Sequence, residues 1–201
     1  MSSRPFWLGL ATWWLLLASG HATPFQYPLS YDPQVTSTFG TYRITHHHAG
    51  LDLTTDGNDE IPVLASAGGR IVRIRRNRVG FGRAVYIAHP GGFMTVYAHL
   101  SAFSPKLVTA ISLLPSIGET LKFDHYLRTP IPVKAGEKLG WVGSSGTDLV
   151  HLHFELRKDS RPVNPLRHGL SIPDTMAPII RRVRLRPMDR RAHVADSNED
   201  F

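Results

Sequence analysis

The sequence predicts an all-β fold, a sandwich or barrel, with one short helical insert and the start of a second β domain. Three observations predict it. Short runs rich in β-branched and aromatic residues follow one another closely, with Gly and Pro turns between them. His151 to Leu156 alternates polar and apolar residues, the period of a strand with one buried face. Only the segment after Ser104-Pro105 carries a helical spacing instead. At 201 residues with 42% hydrophobic side chains, the chain has material for one fully cored domain and a fragment of another.

In chain order, residues 1–22 read as a secretory signal. Arg4 supplies the positive start, Phe6 to Ala18 the apolar stretch, and Gly20-His21-Ala22 the small residues before cleavage. The apolar stretch is shorter than the roughly 18–20 residues of a spanning helix. An uncleaved anchor is the alternative; after cleavage no other stretch could span a membrane. Residues 23–34, rich in Pro and Tyr, read as a linker, and residues 35–168 as the main domain. Strands are expected at Val35–Phe39, Arg70–Ile74, Ala84–Ala88, Met94–His99, Lys138–Val142 and His151–Leu156, with Pro90-Gly91-Gly92 as a hairpin turn. Leu107, Val108, Ile111 and Leu114 recur at helical spacing. Ser104 is placed to cap that helix, Pro105 to open it and Pro115 to end it, with a strand from about Thr120 to Phe123 behind it. Residues 169–201 read as a linker at Asp174 to Pro178 and then a strand in which Val183 and Leu185 alternate with arginines, the start of a truncated C-terminal β domain.

The net charge of +7 favours anionic partners. Nucleic acid is not the expected one, because no aromatic interleaving or recognised motif accompanies the arginines and the chain carries an export signal. Cysteine is absent, which excludes disulfides, thiolate zinc sites and a lipidated cysteine. Any zinc must be held by His, Asp or Glu. An exported chain without cysteine suits a bacterial periplasm or envelope, or the extracellular space.

The chemistry lies in two histidine motifs about a hundred residues apart. His48-Ala49-Gly50-Leu51-Asp52 is an HxxxD, and His151-Leu152-His153 is an HxH continuing through Phe154 to Glu155. Two imidazoles and a carboxylate can hold one zinc ion and leave a fourth position open. In a strand His151 and His153 share a face, roughly 7 Å apart at Cα, with Leu152 and Phe154 on the other. One of them can ligate while the other faces the same cleft, and Glu155 falls on that face as a partner to orient a ring. His48 and Asp52 would sit about 13 Å apart in a straight strand, so the chain must bend, and Gly50 tolerates the backbone angles required. His46 and His47 are out of register and are expected at the surface. His99 ends a strand, two after Tyr97, so both are expected on one face.

At these residues the chain resembles the lysostaphin/LytM-type zinc metallopeptidases, which cut peptide bonds in peptidoglycan. The matching stretches are Thr38 to Gly40, His48 to Leu53, Tyr97 to Leu100, Val133 to Gly140, His151 to Leu156 and Pro162 to Pro165, within Val35 to Arg167. The resemblance implies a duplicated-hybrid-motif β fold with a narrow groove over the metal. It implies zinc on His48, Asp52 and His153, with His99 and His151 as the catalytic pair, acting on peptidoglycan peptides. Degenerate members that activate amidases have usually lost some of these residues; all five are filled here. The chain departs from the family where Leu149-Val150 replaces a frequent Gly-Pro, and in a shorter loop after Gly143. Both changes bear on substrate preference. A helical insert and an Asp-x-x-x-Pro segment resemble a subset with a further β domain, as at Asp174 to Pro178.

Overall fold

A computed structural model describes residues 25–31, 34–113 and 122–172. The expected signal segment, Leu114, Pro115 and the strand around Val183 lie outside the described residues. Among them thirteen strands and one α-helix follow in order: β1 (Val35–Ser37), β2 (Tyr42–Arg43), β3 (His46–His47), β4 (Leu51–Thr54), β5 (Pro62–Leu64), β6 (Gly69–Arg76), β7 (Arg83–His89), β8 (Phe93–Ala98), β9 (Ala102–Phe103), α1 (Pro105–Ser112), β10 (Phe123–Val133), β11 (Lys138–Trp141), β12 (His151–Lys158) and β13 (Arg161–Val163).

One antiparallel sheet runs β1-β4-β12-β8-β7-β6-β10, with β13 also on β12. A smaller sheet runs β5-β11-β9, and β2-β3 is a separate hairpin. Of the two expected architectures the sandwich is realised. The barrel does not close, since β1 and β10 are open edges with no ladder between them among the described residues.

Strand parity divides the large sheet into two faces. Leu51, Leu53, Ile74, Val85, Ile87, Tyr97, Leu152, Phe154 and Leu156 turn inward and meet Val63 and Leu139 of the small sheet in the main core. Each such side chain contributes about 1.5–3 kcal/mol by leaving water. Asp52, His153 and Glu155 lie on the opposite face, beside a second small cluster of Ala84, Tyr86, Val96 and Ala98.

Several expectations change. The segment read as a linker joins the core: Phe25 and Leu29 are buried, and Leu29 bridges to Val63. Helix α1 ends at Ser112. Ser104 occupies its N-cap position, yet the buried hydroxyl makes no capping bond. The expected strand from about Thr120 to Phe123 lies partly outside the described residues; the strand described there runs from Phe123 to Val133 through Pro130 and Pro132. Proline cannot donate to a ladder, so such a sequence argues against a strand; β10 tolerates it as an edge with one neighbour, β6.

Candidate metal centre and flanking histidines

The centre forms where β4 and β12 pair, with His153 directly opposite Asp52. His48 precedes β4 in the short bend Ala49-Gly50, which folds the HxxxD back on itself. Gly50 is required, but for a different reason from the one expected. It is not among the glycines with positive φ. A Cβ on it would lie 2.2 Å from the Phe154 carbonyl oxygen, so glycine is needed for close approach to β12.

Three donor atoms converge. His48 Nε2 lies 3.0 Å from His153 Nδ1 and 3.1 Å from Asp52 Oδ1, and His153 Nδ1 lies 2.9 Å from that oxygen. All three residues are buried. Zinc bonds of about 2.0–2.1 Å in a tetrahedral site separate ligands by about 3.3 Å, so the triangle needs only a slight expansion to fit.

The far side of each donor is held. His48 Nδ1–H donates to the Thr38 carbonyl at 2.9 Å. His153 Nε2–H donates to Glu155 Oε1 at 3.0 Å. Both imidazoles therefore turn a lone pair inward. Arg43 Nη2 holds the outer oxygen of Asp52 at 2.5 Å. Glu155 is itself buried and held by Arg157, whose Nε lies 2.7 Å away. Three acceptors this close repel one another unless a cation lies between them. Where a proton rather than an ion fills that point, burial would raise the Asp52 carboxyl, but the hydrogen bonds it then makes with His153 and His48 outweigh burial and hold it well below the usual range. Burial would lower His153, but Asp52 and Glu155 more than offset it and raise it. The same field that draws a proton draws a divalent ion.

His99 and His151 stand beside the triad with ring centroids 4.7 Å apart. His151 Nδ1–H donates to the Leu149 carbonyl at 2.9 Å and its Nε2 lies 3.7 Å from Asp52 Oδ1. His99 Nδ1–H donates to the Ser145 carbonyl at 3.0 Å. Burial pushes both imidazoles down, His99 to about 4, so both are neutral at pH 7 with Nε2 free to accept a proton. His99 does not share the face of Tyr97 as parity predicts. β8 ends at Ala98, and His99 takes a left-handed φ of 64° that turns it toward the site. Tyr97 stays in the core, where its hydroxyl accepts from the Ser66 amide at 2.7 Å. His46 and His47 form the exposed strand β3 outside the triad.

The cleft over these groups encloses about 740 Å³ and is walled by Phe81, Leu149, Arg43, Arg75 and Arg157 among others. Sequence reading missed Arg43, Ser145 and Phe81, whose ring packs 5.4 Å from that of His153. Ser145 belongs to the Gly143 to Gly146 loop, and Gly146 of that loop lines the cleft.

The signature of Peptidase family M23 matches residues 46–121. Lipoprotein NlpD of Yersinia enterocolitica is 32% identical over 107 residues, 53% of this chain and 88% of that protein. The chain belongs to peptidase family M23. Among other relatives, the DD-carboxypeptidase/endopeptidase Mpg of Neisseria meningitidis serogroup B is 33% identical over 156 residues, 73% of this chain. The murein hydrolase activator NlpD of Escherichia coli K12 is 30% identical over 135 residues, 67% of this chain. This chain spans only 29% of the length of each of these two. Among solved structures, a zinc-containing peptidase from Vibrio cholerae matches with a TM-score of 0.55 at 24% identity, over 74% of this chain and 41% of that one, a likeness of fold. The M23 signature covers His48, Asp52 and His99, while the HxH of β12 lies beyond it. Among the described residues no helix is long and apolar enough to cross a membrane.

Proposed function

We propose that this M23 chain is an exported zinc metalloendopeptidase that hydrolyses peptide cross-links or stem peptides of bacterial peptidoglycan. One observation carries the reading. Three donors aim at one point with their far sides held, and two neutral imidazoles face the same cleft. His48, Asp52 and His153 would hold the metal. Zinc bound there supplies a Lewis acid that polarises the scissile carbonyl and acidifies water.

His151 Nε2 accepts the proton of the attacking water. Its Nδ1–H stays on the Leu149 carbonyl, which fixes the ring with Nε2 toward the cleft. His99 Nε2, in ring contact with His151, takes that proton from it and passes it to the oxyanion or the leaving nitrogen, while Nδ1–H stays on Ser145. Leu149 and Phe81 border the cleft and limit water around the reacting groups.

The likeness to a murein hydrolase activator favours a second reading, a non-catalytic module that docks on the wall or on an amidase. Purified full chain incubated with peptidoglycan separates the two. The peptidase reading expects new peptide termini by mass spectrometry, lost with a chelator and regained with zinc. It also expects His151→Ala to bind zinc and not cleave. Intact muropeptides after incubation with zinc-loaded protein would support the activator, and near wild-type cleavage by His151→Ala would remove the role given to His151.

A further inference from the structure

One charged feature lies outside the metal centre and the histidine pair. Arg76 and Arg83 are directly opposite each other at the ends of β6 and β7. Like charges so placed destabilise a ladder. With Arg78 they line a hollow of about 230 Å³ that has no carboxylate in its wall. Nearby arginines are matched: Arg43 with Asp52, Arg73 and Arg75 with Asp124, Arg157 with Glu155. Arg83 is not. Among the described residues its guanidinium reaches only the Leu100 carbonyl, at 3.5 Å. It is also half-buried, and burial and the neighbouring Arg76 charge push it below its ordinary value. A solvated turn accounts for an exposed arginine such as Arg78. It does not account for a half-buried one set against another cation.

The hollow adjoins the catalytic cleft: Gly146 lines both, and Ser145 lines the hollow. Ser145 Oγ accepts from the Arg83 amide at 2.8 Å, while its carbonyl holds His99. The loop is fixed at this spot: a Cβ on Gly146 would lie 2.4 Å from the Gly80 carbonyl and one on Gly82 1.9 Å from that of Ser145. A group bound by the arginines therefore sits on a rigid wall shared with a histidine of the site.

We propose that Arg76, Arg78 and Arg83 form a subsite for a carboxylate of the peptide substrate, at one end of the catalytic cleft. Guanidinium groups bind carboxylates in a bidentate, charge-assisted geometry, and an anion there relieves the repulsion between Arg76 and Arg83. This rests on the peptidase reading for the identity of the substrate, not for the existence of the site.

The test measures binding rather than cleavage. Two synthetic stem peptides, identical except that the carboxylates are free in one and amidated in the other, are titrated by calorimetry into the full-length His151→Ala chain. The free acid is expected to bind roughly 10- to 100-fold tighter. Adding R76Q and R83Q is expected to abolish that preference without lowering the circular dichroism melt, since it removes the repulsion across the ladder. Should the double variant not fold, R76Q alone, at a half-exposed position, is expected to lower it. Equal affinity for both peptides, or a preference that survives the arginine variants, overturns the subsite. Failure of wild-type protein to cleave wall peptides ends the peptidase reading and leaves this comparison standing.

Discussion

The triad and the histidine pair differ in what stands behind them. Two of the three triad members have charged supports, Glu155 behind His153 and Arg43 behind Asp52, while His48 rests on the Thr38 carbonyl. The pair rests on backbone carbonyls alone, those of Ser145 and Leu149. A carboxylate behind a ring raises its basicity and favours a cation in front of it. A carbonyl fixes the tautomer with far less charge, and burial then keeps the ring neutral. The first arrangement suits holding an ion and the second suits moving a proton. The supports of each can be altered separately.

The largest separation is expected between Asp52→Ala and His151→Ala. Asp52→Ala removes a donor and leaves Arg43 without its partner, so zinc retention and cleavage are both expected to vanish. His151→Ala is expected to keep stoichiometric zinc while turnover falls about 10²–10⁴-fold, the usual worth of a positioned acid–base group. Zinc content by atomic emission beside cleavage rate checks both. Loss of zinc from His151→Ala would show that the pair and the triad are not separable.

Next in size is Gly50→Ala, which alters no ligand. The new methyl would meet the Phe154 carbonyl and push β4 from β12, parting His48 and Asp52 from His153. Overpacking of this kind costs about 1–3 kcal/mol. A lowered melting temperature together with weaker zinc binding is expected. An unchanged melt would mean that the strands need not approach so closely.

These residues also show how far the sequence could be read. The HxH was legible because parity in a continuous strand is strict, so His151, His153 and Glu155 had to share a face. His99 broke the same rule, because one left-handed residue just past β8 reverses the side on which it emerges. No neighbouring glycine or turn motif signalled it. The need for glycine at 50 was legible, yet its cause depends on a carbonyl more than a hundred residues away, which no local pattern reports. β10 was hidden because Pro130 and Pro132 oppose a strand unless it lies at an edge, and edge position is a property of the assembled sheet. Arg43 was invisible for a related reason. It reaches Asp52 only because the β2-β3 hairpin folds over, and an arginine in a hairpin carries no mark of what it will face.

Glu155→Gln tests the charged support behind His153. The amide keeps an acceptor for the imidazole N–H but loses the charge and leaves the Arg157 guanidinium without its acid. Zinc affinity is expected to fall about 10–100-fold, measured by competition with a chromogenic chelator. An unchanged affinity would reduce the difference between the two sets of supports to geometry.

Arg43→Gln should have the smallest effect, although the Arg43–Asp52 contact, at 2.5 Å, is shorter than the 3.0 Å between His153 and Glu155. Exposure decides between them. The Arg43 side chain is 40% exposed, so water and salt screen its charge, whereas that of Glu155 is 1% exposed. Exposed ion pairs contribute about 0–1 kcal/mol, which corresponds to at most about a fivefold change in zinc affinity, diminishing further as salt is raised. The same chelator competition at low and high salt reads it. A loss as large as that of Glu155→Gln, insensitive to salt, would mean that Arg43 acts as a buried support and that the triad is enclosed on both sides.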